Sequence, residues 1–178
     1  VPKELHGLGY DFVEGCQLLE EVAYHDGGLA WTLTLCAGAN MFAGFIDPAL
    51  AAGVFANPKV CFGGSGRPSG RAEWIGDGYR ISGSWKYATG TPHLTHFTLN
   101  AFLFKDGVAL LDSDGNPQYS SFFIDRDDVL MEYDWDTFGL EATASHSFSV
   151  VELLVEPNRA FTLAPEARKS ESLIYKYP

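Results

Sequence analysis

The spacing of hydrophobic positions changes once along the chain, near Val60. Before it, apolar residues recur every three to four positions, as they do on one face of an α-helix. Asp11 and Glu14 have the form of a capping box, which marks a helix start. The apolar residues that follow fall on one face of this predicted helix, which ends near His25: Phe12, Cys16, Leu19, Val22 and Ala23.

An uncharged segment, residues 27–46, comes next and has about the length that a membrane-spanning helix needs. Its flanking residues are Asp26 and Asp47, whereas Lys or Arg anchor the ends of membrane helices. The segment also contains glycines and polar residues, so a buried helix of a folded domain is favoured over a membrane span. Asp47-Pro48 then begins a short third helix that closes at Asn57-Pro58.

From Val60 onward the hydrophobic pattern alternates with a period of two, which is typical of β-strands. Turn signals such as Asp77-Gly78 and Asp106-Gly107 separate runs rich in aromatic and β-branched residues. These runs are residues 72–75, 79–85, 95–104, 119–124, 129–133 and 146–155. The pattern predicts a meandering antiparallel β domain, and residues 95–104 are apolar on both faces, so helices should cover that strand.

The fold class predicted is therefore α+β, with N-terminal helices packed on an antiparallel β domain. We expect a partial helical domain in residues 1–58 and the β domain in residues 59–160. Residues 161–178 are polar and aperiodic, and we expect a linker there that leads to a further part of the protein.

Composition narrows the range of partners. The 178 residues include 12 Lys and Arg against 23 Asp and Glu, which gives a net charge of −11. A chain this acidic repels phosphate backbones and anionic lipid, so we expect neither nucleic acid nor membrane partners. The three cysteines are odd in number and far apart, which fits no disulfide framework and no metal motif. We expect a reducing, cytoplasmic location, and the N-terminus shows no signal peptide.

Common catalytic motifs are absent from the sequence, among them the dinucleotide, phosphate-loop, zinc-protease and serine-hydrolase signatures. His93 and His96 are three positions apart, but the preceding Thr91-Pro92 breaks any helix that would bring them to one face. We therefore predict no metal site.

Two segments carry the strongest chemical signals. Residues 61–70 are rich in glycine, which lets backbone N–H groups approach a flat or anionic ligand; a surface loop is the alternative. Residues 83–90 end a predicted strand with two aromatic side chains, a small residue and a hydroxyl. That arrangement suits a planar heteroaromatic ligand, although it also closes the core of many β domains.

In order along the chain, these segments and four others resemble the acyl-CoA dehydrogenase superfamily. The matching segments are Asp26–Trp31, the hairpin Asp77–Gly83, the loop Phe138–Ser145 and the closing Val155–Pro157. The match covers nearly the whole chain, and its ordered spacing is more specific than any single motif. The resemblance implies the first two domains of that family, with a C-terminal helical bundle that this chain does not encode.

The resemblance also implies a flavin site. Tyr87, Ala88 and Thr89 would lie against the flavin ring, with Thr89 near its N5 and O4 edge. Phe62 and Gly63 would meet the other edge through their backbone, and Ser69 would reach toward the phosphates. The cofactor expected is FAD, with FMN as the alternative, and the full-length protein is expected to be a homo-oligomer, either a tetramer or a dimer.

The function expected from the resemblance is that of a flavin-dependent oxidoreductase that oxidises a CH–CH group of an acyl-CoA-like substrate. The alternative is a reduced-flavin-dependent monooxygenase acting on a small organic substrate. Two features look closer to that branch, the Gly- and Pro-rich residues 61–70 and the segment Asp26–Trp31. The chain also departs from the dehydrogenase pattern, since Gly63 stands where a threonine is expected and Glu141 where the loop usually has arginine. A non-catalytic binding module is a further alternative, and no residue of the chain is assigned as the catalytic base.

Overall fold

The computed structural model describes residues 1–176 and begins with three α-helices. They are α1 (Phe12–His25), α2 (Gly27–Asn40) and α3 (Pro48–Phe55). The predicted capping box starts α1, because Asp11 accepts from the Glu14 backbone at 2.8 Å and Glu14 accepts from the Asp11 backbone at 2.9 Å. These bonds satisfy two of the free N–H groups that every helix start leaves. The three predicted helices are confirmed.

Eight strands form one sheet after the helices. They are β1 (Phe62–Trp74), β2 (Tyr79–Trp85), β3 (His96–Lys105), β4 (Val108–Ala109), β5 (Tyr119–Asp125), β6 (Leu130–Glu132), β7 (Ser147–Val155) and β8 (Ala160–Phe161). The order across the sheet is β6-β7-β2-β1-β3-β5-β8, with β4 paired to β3. The predicted α+β class is confirmed, and the sheet is mostly antiparallel.

One strand pair departs from the predicted meander: β1 and β3 run parallel, with Gly63 opposite Phe97 and Gly64 opposite Thr98. The glycine-rich segment is therefore the first half of a strand, and the pairing shifts register on both sides of Pro68. At Gly64 (φ +153°) a Cβ would lie 1.9 Å from the carbonyl oxygen of Thr98. Glycine is required here because the two backbones approach too closely for a side chain.

Aromatic residues dominate the core on both sides of the sheet. On one side Trp85 stacks on Phe148 with ring centroids 5.4 Å apart, in a cluster that includes Cys36 of α2. On the other side Phe62 packs against Phe55 of α3 and Phe123 of β5. The helices thus cover part of the sheet, as the apolar pattern of β3 predicts.

The two longer helices are less buried than their sequences suggest. None of the residues of α1 is buried, and Cys16 and Phe12 on its predicted inner face are exposed. Of α2, only Ala30, Cys36 and Ala39 are buried, so the expected buried helix contacts the β domain along one side only. The two helices pack on each other, and several of their apolar side chains are exposed, among them Leu18, Leu29 and Trp31.

One helical stretch, Gly27–Phe45, is long and apolar enough to cross a membrane, and 28% of it is buried in the structure. Core helices of soluble proteins and signal sequences pass the same test, so this is weak evidence for a span.

The C-terminal residues fold back over the helices. The backbone N–H groups of Lys169 and Ser170 both donate to the carbonyl of Gly44, at 2.8 and 3.2 Å. Tyr175 packs edge-on against Phe45. Residues 177–178 of the predicted linker lie outside the described residues, and the division at residues 58 and 160 stays a prediction.

Candidate functional site

A strained turn follows β2 and carries three of the predicted site residues. Tyr87 has a φ of +64°, which is unusual for a bulky residue and recurs at functional sites. The loop before β7 holds the turn, because the N–H of Ala88 donates to His146 at 3.1 Å and that of Gly90 to Thr143 at 2.8 Å. Thr89 is thereby fixed between two backbone anchors.

Thr89 belongs to a chain of three buried hydroxyl groups. Its Oγ1 lies 2.9 Å from the hydroxyl of Ser145, which lies 2.8 Å from that of Thr143. All three side chains are at least nine-tenths buried. Because each hydroxyl can donate one hydrogen bond and accept others, Ser145 can direct the proton of Thr89 toward or away from a bound group.

The turn meets the glycine-rich strand at Gly63. A Cβ at Gly63 would lie 2.6 Å from a methyl carbon of Leu94 and 3.3 Å from the carbonyl oxygen of Thr89. The threonine that the dehydrogenases carry at this position does not fit here unless Leu94 moves. The two segments singled out in the sequence therefore come together at this point.

A cavity of about 410 Å³ opens beside Gly63 and Thr89, between α2 and the sheet. This volume is in the range of small-molecule sites. The lining residues come from α2, β1, β3, β5 and the segment around β8, and they include Thr34, Gly38, Ser65, Leu99, Asn100 and Phe161. None of the residues that line the cavity is ionisable. The cavity therefore favours an uncharged ligand.

Polar groups around the cavity are already paired within the protein. Asn100 donates from Nδ2 to the carbonyl of Gly66 at 2.7 Å and accepts from the hydroxyl of Ser121 at 2.7 Å. Thr98 donates to the carbonyl of Gly63 at 3.2 Å. These bonds fix the irregular half of β1 against β3, so the wall of the cavity is preformed.

The structure brings some of the predicted site residues together and separates others. Gly63 and Thr89 line the cavity, whereas Ala88 is fully buried beside them. The ring of Phe62 lies in the core, and its N–H donates to Oδ1 of Asn40 at 2.9 Å. Its backbone donor is therefore not free for a ligand.

Tyr87 and Ser69 lie outside the cavity. The side chain of Tyr87 is 70% exposed and meets Trp135 edge-on, with ring centroids 6.1 Å apart. The hydroxyl of Ser69 donates to the carbonyl of Ser84 at 2.9 Å. That bond joins β1 to β2, so Ser69 has a structural partner here, and its predicted reach toward phosphates stays a prediction.

Sequence reasoning missed the polar residues that β3 and β5 bring to the cavity, Thr98, Asn100 and Ser121. A signal was available, because Thr98 and Asn100 interrupt an otherwise apolar strand at alternate positions. Polar residues in the middle of a covered strand need buried partners or a ligand.

Comparison with known proteins identifies several monooxygenases and hydroxylases that the chain resembles. The chain is 25% identical, over its whole length, to an indole-3-acetate monooxygenase of Pseudomonas putida. It superposes on the XiaF protein of Streptomyces sp., solved in complex with FADH2 and glycerol, with a TM-score of 0.78 and 26% identity over 94% of the chain. These relatives confirm the resemblance of the chain to flavoproteins of the acyl-CoA dehydrogenase superfamily.

The fold of the chain also matches that of the 3-HSA hydroxylase of Rhodococcus sp. RHA1, with a TM-score of 0.87 and 21% identity. The superposition covers 99% of this chain and 47% of the Rhodococcus hydroxylase chain. No protein-family model matches the chain. The chain spans 44% of the Pseudomonas putida relative and 41% of the XiaF chain, so it corresponds to less than half of each.

Several of the relatives are named as monooxygenases or hydroxylases, and one, HsaA of Rhodococcus jostii, is named as the oxygenase subunit of a flavin-dependent monooxygenase. Of the two activities expected from the sequence, the comparisons thus favour the alternative, monooxygenation, over acyl-CoA oxidation.

Proposed function

We propose that the chain forms the flavin-facing and substrate-facing wall of a reduced-flavin-dependent monooxygenase. The observation that carries this proposal is the uncharged cavity beside Thr89, in a fold whose relatives are flavin-dependent monooxygenases. A site for oxygen chemistry on a flavin must keep water away from the reacting atoms. The cavity, in which Thr98, Asn100 and Ser121 are paired with other groups of the protein, provides one wall of such a site.

The residues at the cavity are better suited to contact a flavin ring than to bind the phosphate groups of a flavin. The backbone of Gly63–Gly66 offers a wall without large side chains, Thr89 offers a hydroxyl, and Tyr87 leaves an aromatic ring exposed nearby. No Lys or Arg lines the cavity, so the phosphates would be held elsewhere. We therefore propose FAD as the cofactor and keep FMN as the alternative; XiaF was solved with FADH2 and the TdsC enzyme of Paenibacillus with FMN.

When bound, reduced flavin supplies the electrons that activate dioxygen. The protein contributes positioning: Ser145 and Thr143 hold the Thr89 hydroxyl in place for the ring edge. Gly63 would let the backbone approach that edge, and the apolar residues Leu35 and Phe161 would help to keep water away from it. Such preorganised donors act without reorganisation during the reaction.

For the substrate we propose a small uncharged organic molecule. The lining offers no cation for a carboxylate or phosphate and no anion for an amine. Aromatic substrates are supported by the relatives, since TdsC was solved with indole and another relative is named a resorcinol hydroxylase. Acyl-CoA oxidation is less well supported, because Gly63 replaces a threonine of the dehydrogenases and none of the residues that line the cavity could act as a base.

Two assays on the protein expressed from its whole reading frame separate the two activities. Reduced FAD or FMN would be supplied under oxygen with indole or a phenol, and hydroxylated product measured by mass spectrometry. In parallel, acyl-CoAs would be mixed with the oxidised flavoprotein without oxygen, and bleaching of the flavin recorded. We expect oxygen-dependent product and no bleaching; bleaching without hydroxylation would contradict the proposal.

We also propose that the protein is a cytoplasmic homo-oligomer. The unburied apolar faces of α1 and α2 support association, because exposed apolar patches of this kind mark interfaces. The three cysteines are free thiols in the structure, which supports a reducing location.

A further inference from the structure

Two of the three cysteines meet where α2 packs on the start of β1. Cys36 lies on α2 and is 8% exposed, whereas Cys61 directly precedes β1 and is half-buried. Cys36 is buried in a hydrophobic cluster against which Cys61 packs, and each thiol shifts the pKa of the other. The backbone of Cys61 is fixed by hydrogen bonds with Thr95 and His96, so the contact does not depend on a mobile loop.

This thiol pair lies directly behind the turn that carries Thr89. The sulfur of Cys36 lies 3.9 Å from the carbonyl oxygen of Thr89, and a Cβ at Gly90 would lie 2.9 Å from that sulfur. Because a thiol carries one hydrogen, Cys36 donates either to Thr89 or to Cys61 at any moment. The state of the pair is therefore coupled to the position of the turn.

The two thiols differ in acidity. The hydrogen bond from Cys36 lowers the pKa of Cys61, and burial opposes this effect. The pKa of Cys36 is raised, first by its hydrogen bond with Cys61 and then by burial. Cys61 is also the more accessible of the two, so it supplies the thiolate, which is the reactive form of cysteine.

We propose that Cys36 and Cys61 form a redox-active thiol pair that hydrogen peroxide converts into a disulfide. The Cys61 thiolate attacks one peroxide oxygen: an S–O bond forms, the O–O bond breaks, and hydroxide leaves. The Cys36 sulfur then attacks the sulfur of Cys61, so that an S–S bond forms, the S–O bond breaks, and water leaves with the proton of Cys36. The two sulfurs together lose two electrons, which peroxide accepts.

The disulfide would have a structural consequence at the cavity. A sulfur of Cys36 bonded to Cys61 no longer donates to the carbonyl of Thr89, and α2 becomes covalently joined to the start of β1. A dithiol reductant restores both thiols and the contact with Thr89. Neither step requires flavin.

The test is a peroxide treatment of the purified protein, followed by alkylation of free thiols, digestion with trypsin without reductant, and mass spectrometry. Cys16 and Cys36 fall in the same tryptic peptide, because residues 4–58 contain no Lys or Arg. The experiment therefore uses Cys16→Ser as its background. We expect this variant to lose two hydrogen atoms and to join the peptide of Cys36 to that of Cys61, reversibly on addition of dithiothreitol.

Substitutions of either partner distinguish a pair from two independent thiols. With Cys36→Ser, or with Cys36→Ala if the serine variant does not fold, Cys61 should accumulate as a sulfenic acid that dimedone traps. With Cys61→Ser, Cys36 should stay reduced. The rate of cross-linking should rise about tenfold per pH unit below the pKa of Cys61.

In the unsubstituted protein, oxidation of the exposed Cys16 shows that the peroxide was active. If Cys16 is oxidised while no cross-link forms in the Cys16→Ser protein, the proposal is wrong. Separate oxidation of Cys36 and Cys61, without a bond between them, would equally overturn it.

Discussion

At the scale of single residues, the Thr89 hydroxyl is the group whose loss should matter most to a bound flavin. Thr89→Val keeps the shape of the side chain and removes the hydroxyl bonded to Ser145 at 2.9 Å. An unmade buried hydrogen bond costs about 1 to 3 kcal/mol. We expect flavin affinity to fall by roughly 5- to 150-fold, measured by fluorescence titration.

Thr143→Val is the matched control, because it removes a hydroxyl from the other end of the same chain, 2.8 Å from Ser145. Thr143 does not line the cavity. Both variants should lower the urea midpoint by similar amounts, but only Thr89→Val should weaken flavin binding. Equal losses of affinity would assign Thr89 a purely structural role.

Gly64 should tolerate substitution far less well than its neighbour Gly66. A Cβ at Gly64 would overlap the carbonyl of Thr98, at a φ of +153°, whereas nothing lies within 4 Å of a Cβ at Gly66. We expect Gly64→Ala to destabilise the protein by more than about 3 kcal/mol, because the parallel pairing with β3 must open. Gly66→Ala should cost about 1 kcal/mol or less in urea unfolding, and similar costs for both would contradict the register described here.

At this scale, the sequence predicts a residue's contacts only where the partners are close together in the chain. The cap residues Asp11 and Glu14 could be predicted, since a local helix signal marks them, whereas the binding role of Thr89 stays a prediction. The partners of Thr89 could not be predicted, because Ser145 is 56 residues away. The same is true of Cys36 and Cys61: their spacing suggests no motif, and only the packing of α2 on β1 brings them together.

At the scale of elements, the edge of β3 and β5 contains a pH-sensitive contact. His96 of β3 pairs with Asp125 of β5 at 3.1 Å, and Arg159 contacts the same carboxylate at 3.0 Å. Burial lowers the pKa of His96, and Asp125 opposes this effect. Unfolding returns His96 to a pKa of about 6.5.

A histidine whose folded pKa lies below its unfolded value binds protons more readily when unfolded. The stability associated with neutral His96 is therefore complete above pH ~6.5 and is lost as the pH falls through its folded pKa. We expect the free energy of unfolding to decline over this window in urea titrations, and His96→Gln to flatten the decline. His93→Gln, at an exposed position, is the control for the substitution itself.

The sequence predicts whether an element is a helix or a strand where the hydrophobic period is clear. It does not predict which strands pair with each other. The capping box and the period of 3.6 predict α1, and the alternation after Val60 predicts β2, β3, β5 and β7. The first half of β1 was missed because its glycines carry no alternation, and it becomes a strand only by pairing in parallel with β3. The apolar face of α1 predicts a helix correctly, but it does not reveal which surface covers that face.

At the scale of the whole molecule, the described chain provides one wall of the proposed flavin site. Tyr87 is 70% exposed beside the turn of Thr89, and the chain spans 44% of the length of its Pseudomonas putida relative. Ligand sites normally bury most of the ligand surface, and one wall does not achieve that. The 178 residues alone should therefore bind flavin weakly.

Titration of the 178-residue chain with FAD and with FMN, followed by flavin fluorescence, should show little saturation at micromolar flavin. The product of the whole reading frame, if it has the length of the relatives, should form a yellow complex that survives gel filtration. Thr89→Val should weaken that complex, because the hydroxyl chain belongs to this wall whatever covers the other side. Tight stoichiometric binding by the 178 residues would instead show that the cavity beside Gly63 and Thr89 encloses the ring without further chain.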